Sequence, residues 1–498
     1  MEYAIAVIDI GMTNKKIAVY DSSLSQLESR GKNFKPKMIE GLETHDLDAM
    51  EKWFVAELKE LAAKYPIKAL AVSAHGATFV CLDAGGQCAL PCVYYTHEPG
   101  EDFHRLFYER FGDADKLQLQ TGTPAFKALI NPAKGLFFLQ QRFGEAFQNL
   151  HAVLPYPQYW GFRFSGEMGA ESTYMGNHTY LWDQIHDDFS TVARELGLAS
   201  LIPGQLRKSW DTLGTVSASF AALTGLSKDT IVTMGIHDSN AALLPYFAKK
   251  GGRHFILNSS GTWCVIMNPV EKYGFNETEL GKIVFFNISA FGTPIKTAIF
   301  LGGLEFETWA KQIFQRHGRE DSPPWNEALY RAVLKERRLF LLPELMPGSG
   351  QFPLSNARIV EDGEVYSFGS APSPPCFGDY AKVFAALRIS LVMQTLTALQ
   401  RAGIEKGYEL YIEGGFRKDE SYSRLLAAAL PDNKVFLTDI AEASALGAAM
   451  TAKIALSGKS LADLAGDFDI SYRQQEPLSL PELAAYRQDW LALAEGRG

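Results

Sequence analysis

Short runs of apolar residues, each closed by a glycine and a polar cluster, recur along this chain and set its predicted architecture. Residues 4–8 are uninterrupted and β-compatible, the pattern of a strand covered on both faces. Asp9 ends that run, Asp9-Ile10-Gly11-Met12-Thr13-Asn14-Lys15-Lys16 spells a tight turn, and residues 17–20 return as a strand. Residues 47–65 place Trp53, Phe54, Leu58 and Leu61 at helical spacing. Strands at 69–72 and 79–82 are separated by Ser73-Ala74-His75-Gly76-Ala77-Thr78, and after a turn at 83–87 residues 90–95 return as a strand. Residues 100–225 alternate helices with loops and are dense in aromatics: Tyr156, Tyr159, Trp160, Phe162, Phe164, Tyr174, Tyr180 and Trp182. With the hydroxyls of 171–179 they could line a sugar pocket, although such a stripe is more often plain core. A buried strand at 230–234 leads through Gly235-Ile236-His237-Asp238-Ser239-Asn240 into a helix-like 241–244.

Lys249-Lys250-Gly251-Gly252 then reads as a seam. Beyond it, residues 254–257, Asn258-Ser259-Ser260-Gly261-Thr262 and 263–267 repeat the opening order of strand, Gly/Thr turn and strand. Two such hairpins, each heading one half, predict a duplicated α/β architecture with a cleft, divided into domains 1–250 and 251–498. Further along, the pattern predicts a long helix at 381–402, a strand at 409–412, a turn at Glu413-Gly414-Gly415-Phe416, a helix at 422–429, a strand at 435–437 and a small-residue helix at 441–454. Residues 343–375, rich in Pro, Gly and Ser, are expected to be a surface loop or a bridge between the halves.

Composition narrows the function. A chain of 498 residues with 47% hydrophobic residues has room for two or three cores. Its 48 basic and 57 acidic residues form no basic stripe suited to nucleic acid. No charged leader with a cleavage site opens the chain, and the best apolar run, near 443–456, carries Lys453. The expectation is a soluble, cytoplasmic protein that engages no membrane. Five cysteines are few and odd in number, which points to reduced thiols. Cys88 and Cys92 have a metal-compatible spacing but no second pair, so packing is expected of them.

Two carboxylates stand out. Asp9, at the mouth of a buried strand, is costly to desolvate unless a cation or donors meet it, and a divalent metal is the obvious candidate. The amides of the following turn, with Thr13 and Asn14, make a concavity suited to phosphate oxygens, although a plain hairpin turn would use the same residues. No Gly-Lys-Ser/Thr opens a helix there, so this is not a Walker loop. Asp238 follows a glycine at a strand-to-helix junction, where a carboxylate faces a ligand or caps the helix; from the residues alone the cap is favoured. His75 at the break between strands could bind a substrate hydroxyl or be a satisfied core histidine. Gly414-Gly415 would let a flat ring approach the backbone.

Together these stretches resemble the FGGY family of carbohydrate kinases, and within it the rhamnulokinase and fuculokinase type. Asp9-x-Gly11-x-Thr13 with Lys16 is similar to the first phosphate motif; Gly235-x-His237-Asp238-Ser239 to the stretch with the catalytic aspartate; Ser259-Ser260-Gly261-Thr262-Trp263 to the second phosphate motif; Gly414-Gly415 with Glu442-Ala443-Ser444-x-Leu446-Gly447 to the adenosine region. The resemblance spans residues 4–452 in order. It implies two ribonuclease H-like, actin-like ATPase domains, with ATP and Mg²⁺ in the cleft and the sugar held mainly by the first.

On that resemblance Asp238 is the general base and Asp9 the magnesium partner. Gly11, Thr13, Asn14, Lys16, Ser260, Gly261 and Thr262 hold phosphates, and Gly414, Gly415 and Glu442 hold the nucleoside. His75, Gly76, Thr96, His97 and His237 meet the sugar. The implied activity is ATP-dependent phosphorylation of a primary hydroxyl on a small ketose, a deoxyketohexose or ketopentose such as L-rhamnulose or L-fuculose. The sequence also departs from the family pattern: Met12 replaces a hydroxyl residue, Thr96-His97 stands where an Asp and Arg are usual, Glu413 replaces an apolar residue and Leu430-Pro431 interrupts the adenosine region. An ATPase switch of the actin or chaperone kind and a silent sugar-binding protein are the competing readings, and a homodimer is left open.

Overall fold

The computed structural model describes residues 2–251, 254–440 and 442–496. Its first half is organised on a seven-stranded sheet. In chain order the strands are β1 (Ala4–Ile10), β2 (Asn14–Asp21), β3 (Gln26–Asn33), β4 (Ile67–Ala74), β5 (Thr212–Thr215), β6 (Ile231–Thr233) and β7 (Ile236–His237). They lie in the order β5-β6-β4-β1-β2-β3, with β7 added to β4. β1 pairs antiparallel with β2 and parallel with β4, so Asp9 lies opposite Lys16 on one side and Ser73 on the other.

The second half carries β8 (Phe255–Ser260), β9 (Cys264–Pro269), β10 (Val284–Ile288), β11 (Pro294–Phe300), β12 (Glu409–Gly414), β13 (Lys434–Thr438) and β14 (Tyr472–Gln474). Their order is β10-β11-β9-β8-β12-β13-β14. In each sheet a leading hairpin is followed on its inner side by two parallel strands and an antiparallel edge. The repeat that the two hairpins suggest therefore extends to whole sheets.

Burial on both faces explains the unbroken apolar runs. Ala4, Ala6, Ile8 and Ile10 face a core shared with α1 (Leu47–Lys64), whereas Ile5 and Val7 face a central core shared with the second half. That central layer is built by α2 (Asp238–Lys250) and α3 (Ala443–Ser457), together with Phe255 and Leu257 of β8. The two helices touch backbone to backbone: a Cβ on Gly447 would collide with the Ala241 carbonyl. Only glycine allows that approach.

Several expectations need correction. Residues 90–95 form no strand; Val93 makes one isolated bridge, to Thr44. The 343–375 stretch is not simply loop, because it carries Arg358–Glu361 and Glu364–Ser367, two strands of a three-stranded sheet begun by Leu339–Leu342. The longest apolar helix is Tyr380–Arg401, not the 443–456 run; it is apolar enough to cross a membrane, but 94% of its apolar window is buried inside the protein, as suits a core helix. Cys92 packs as expected while Cys88 is exposed, and the five cysteines are unpaired. The aromatic stripe is core: Tyr156, Tyr159, Trp160, Phe164, Tyr174, Tyr180 and Trp182 are buried in the first hydrophobic cluster, with Phe162 packed against it. Of the predicted seam and the 441–454 helix, Gly252 and Ala441 lie outside the described residues.

Candidate active site

The strand ends of both sheets open on one cleft that holds two adjoining cavities. The larger, of about 420 Å³, is lined by Asp9 and Lys16 from the first hairpin, Asp238 and Ser239 from the start of α2, and Ser259, Glu413, Gly414, Gly415, Glu442 and Ser444 from the second half. Three basic side chains reach it, Lys16, Arg417 and Lys418. The smaller, of about 200 Å³, is lined by His75, Gly76, Ala77, Tyr95, Phe126, Asn177, His178, His237, Asp238 and Ser239, and across the cleft by Trp263, Phe285 and Asn287. Asp238 and Ser239 belong to both.

Helix geometry explains why Asp238 is available there. The N-cap of α2 is His237, whose side chain makes no capping bond, and Asp238 sits in the first turn. The capping role expected of Asp238 is therefore not observed. Its Oδ1 instead accepts from the Ser239 amide at 2.5 Å and the Ser239 hydroxyl at 3.1 Å, leaving Oδ2 without such a bond. Burial pushes its pKa up to about 6. Asp9 is raised to about 6 as well, by burial and by the charge of Asp238, although the Ser444 hydroxyl donates to Asp9 Oδ2 at 2.9 Å. Two carboxylates in one cavity, each costly to ionise, are the donor set that a hard divalent cation stabilises.

Of the two phosphate-type turns, Lys16 and Ser259 line the larger cavity, whereas Gly11, Thr13, Asn14, Ser260, Gly261 and Thr262 do not. Thr13 and Asn14 are exposed, and Gly11 donates its amide to the Asn14 carbonyl at 3.0 Å, which closes the first turn. Gly261 and Thr262 are exposed at the second. Ser260 is different: its buried hydroxyl donates to the Glu413 carbonyl at 2.5 Å and accepts from Phe416 N at 2.9 Å, so it ties the turn to the Gly414-Gly415 segment instead of facing the cavity. Gly414 has φ +77°, and a Cβ there would strike the Ser260 carbonyl. Glu413 is buried in the cavity wall with its pKa pushed up to about 7 by burial, and Tyr246 donates to it at 3.2 Å.

In the smaller cavity the polar groups come from the first half. His75, His178 and His237 are driven to pKa values of about 3 by burial, so all three are neutral at pH 7. Asn177 Nδ2 lies 2.6 Å from His237 Nε2, and Asp238 Oδ1 is 3.3 Å from the same nitrogen. His75 Nε2, Asn177 Oδ1 and Asn287 Oδ1 have no hydrogen-bond partner among the described residues. Gly76 makes the floor: a Cβ there would come within 2.9 Å of nitrogens on both Asn177 and His178. Ala77 and His178 hold φ of 67° and 41°, conformations that non-glycine residues keep only when the surroundings enforce them.

Two predicted sugar residues are not brought in. Thr96 is exposed, and His97 packs against Phe138 at 5.0 Å between ring centroids; neither lines the cavity, whereas the adjacent Tyr95 does. Sequence reading also missed Asn177, His178, Phe126, Phe285 and Asn287. The polar loop 171–179 held a usable signal for the first two; Phe126 is far in sequence from Phe285 and Asn287 of β10 and meets them only across the cleft.

Models of the N-terminal domain of the FGGY family of carbohydrate kinases and of the carbohydrate kinase FGGY C-terminal domain match residues 4–245 and 252–460. The chain belongs to the FGGY family. It is 23% identical over 465 residues to an L-fuculokinase of Escherichia coli (strain K12), covering 90% of this chain and 91% of that one. A carbohydrate kinase from Novosphingobium aromaticivorans superposes with a TM-score of 0.80 at 27% identity, covering 99% of both chains. A ligand-bound xylulose kinase from Lactobacillus acidophilus gives a TM-score of 0.80 at 16% identity, over 99% of this chain and 97% of the other, which shows the shared fold. This FGGY protein is thus a two-domain α/β phosphotransferase of the carbohydrate kinase kind, with ATP as the family's phosphoryl donor.

Proposed function

We propose that this kinase transfers the γ-phosphoryl group of ATP to a primary hydroxyl of a small, uncharged ketose, with Asp238 as general base. One observation carries the reading: Asp238 lines both a small cavity and a larger one that three basic side chains reach. A hydroxyl in the first would face a phosphoryl group in the second across that carboxylate.

The small cavity is sized for a monosaccharide and has neutral imidazoles and amides to bind hydroxyls. Its lining includes Asp238 but no lysine or arginine. No cation in the lining would neutralise an aldonate's carboxylate and Asp238 would repel it, which favours a neutral sugar. Phe126, Ile130, Phe285 and Ile299 give an apolar wall that suits the methyl group of a deoxyketohexose such as L-fuculose or L-rhamnulose, with ketopentoses next.

In this reading Asp238 accepts the hydroxyl proton as the oxygen attacks phosphorus, and positioning with charge neutralisation supplies most of the acceleration. The amides and hydroxyls of Gly11, Thr13, Asn14, Gly261 and Thr262 and the Lys16 ammonium would hold the phosphates, Ser260 would brace the second turn, and Gly414, Gly415 and Glu442 would border the nucleoside. Asp9 would hold Mg²⁺, which when bound supplies charge neutralisation and orientation of the phosphates. The end of α2 at Lys250 supports a domain boundary at 250/251.

The test is sugar-dependent ADP release with ATP and Mg²⁺ across L-fuculose, L-rhamnulose, xylulose and gluconate. Turnover with the neutral ketoses and not with gluconate is expected. Preference for gluconate, or ADP release that ignores the sugar, overturns the proposal.

A further inference from the structure

Behind the small cavity lies a buried carboxylate with no role in the chemistry above. Glu171 is fully buried at the N-cap of the one-turn helix Ser172–Met175. Its Oε1 accepts from Thr173 N at 3.0 Å and from the Ser209 hydroxyl at 2.6 Å; its Oε2 accepts from the Thr173 hydroxyl at 2.6 Å and from Tyr174 N at 3.1 Å. Burial pushes the Glu171 pKa up to about 7 while these four hydrogen bonds oppose that rise; the ionised form only accepts, and its lone pairs satisfy this whole set of donors at once.

The two residues that Glu171 fastens hold two different loops. Thr173 gives its proton to Glu171, so its oxygen is left to accept from the His237 amide at 3.1 Å, one residue before Asp238. The Tyr174 hydroxyl accepts from Thr78 N at 3.1 Å and lies 2.7 Å from the Thr78 carbonyl and 3.0 Å from the His75 carbonyl. It therefore spans the His75-Gly76-Ala77-Thr78 loop that floors the cavity. A single turn thus reaches the peptide that carries Asp238 on one side and the sugar-facing loop on the other.

We infer that Glu171 is a positioning residue, which sets the Asp238 peptide through Thr173 and the sugar-facing loop through Tyr174; this rests on the reading of Asp238 as the base. Replacing Glu171 by glutamine would turn an amide donor toward hydroxyls and N–H groups that need acceptors, so both loops would lose their register. The two arms act on different kinetic constants. Misplacing the base lowers kcat, and misplacing the floor raises the sugar KM.

Steady-state kinetics on folded variants test this, with melting temperature recorded for each. Thr173→Val is expected to lower kcat about tenfold with the sugar KM within about threefold, and Thr173→Ser to restore it. Tyr174→Phe is expected to raise the sugar KM about tenfold with kcat within about threefold, and Glu171→Gln to do both. Wild-type kcat in a folded Thr173→Val protein overturns the inference. So do equal changes in kcat and KM in both single variants that track a loss of melting temperature, the mark of a structural role only. If Asp238→Asn is inactive while Thr173→Val is normal, this inference alone fails; if Asp238→Asn turns over normally, the reading of the base fails first.

Discussion

Lys16 and Glu442 lie 426 residues apart in the chain, and Lys16 Nζ meets Glu442 Oε1 at 2.8 Å, so an ion pair joins the first hairpin to the start of α3 across the cleft. Together with the Ser444–Asp9 hydrogen bond it ties the two halves at the larger cavity.

That pair is partly solvent-exposed, at 31% and 16% for the two side chains, so its own contribution to stability is small, under about 1 kcal/mol. A phosphate is a stronger partner for the ammonium than the screened carboxylate. Lys16→Met is therefore expected to weaken nucleotide binding about tenfold or more while sugar affinity holds; calorimetric titration with a nonhydrolysable ATP analogue checks it.

Asp238→Asn would remove the proposed proton acceptor but keep the shape of the first turn of α2. A positioned general base contributes roughly 10² to 10⁴ in rate, so kcat is expected to fall by at least about a hundredfold while the variant still binds sugar and nucleotide. Unchanged turnover in a folded variant would remove Asp238 from the mechanism.

Burial holds Asp9 and Asp238 near pKa 6, above the 3.8 of an unperturbed aspartate. A base must be ionised, so kcat is expected to decline as pH falls through about 6, and added Mg²⁺ to move that decline to lower pH by favouring charged Asp9. Stability moves the other way. A carboxylate whose folded-state pKa is raised costs stability while ionised, and the cost is relieved as pH drops from 7 through 6 toward 4. Asp238→Asn is accordingly expected to be at least as stable as the parent at pH 7, with a gain on the order of 1 kcal/mol after allowance for solvent contact. Thermal melts at pH 5 and pH 7 read this out.

A side chain at Gly76 would have to displace its neighbours. A Cβ would press on Asn177 Nδ2 and His178 Nε2 at 2.9 Å and on His237 Nε2 at 3.1 Å, in the floor of the small cavity. Gly76→Ala is expected to raise the sugar KM by about a hundredfold, with nucleotide binding little changed, because several polar groups lose their geometry together. Equal loss of both affinities in titrations would show that the glycine serves the fold instead of the cavity.

The strands and the two matching hairpins were legible in the sequence because both faces of β1 and β8 are buried, so apolar runs and the glycine turns that end them mark the elements locally. Asp9, near the end of β1, and Asp238, just after β7, could be singled out locally, but the residues alone left a hairpin turn and a helix cap open for them, and their roles came from the family resemblance. What the sequence could not show is where side chains meet. Tyr95 faces the cavity while Thr96 and His97 turn away, and nothing in that run of residues distinguishes them. Phe285 and Asn287 reach the cavity because alternate residues of an edge strand share one face, and that face lies over Phe126 only after the halves dock. The freeing of Asp238 from cap duty, the Glu171 turn and the Lys16–Glu442 pair likewise depend on contacts between distant segments. Local pattern determined which elements form; packing between the halves decided which of their polar groups face one another.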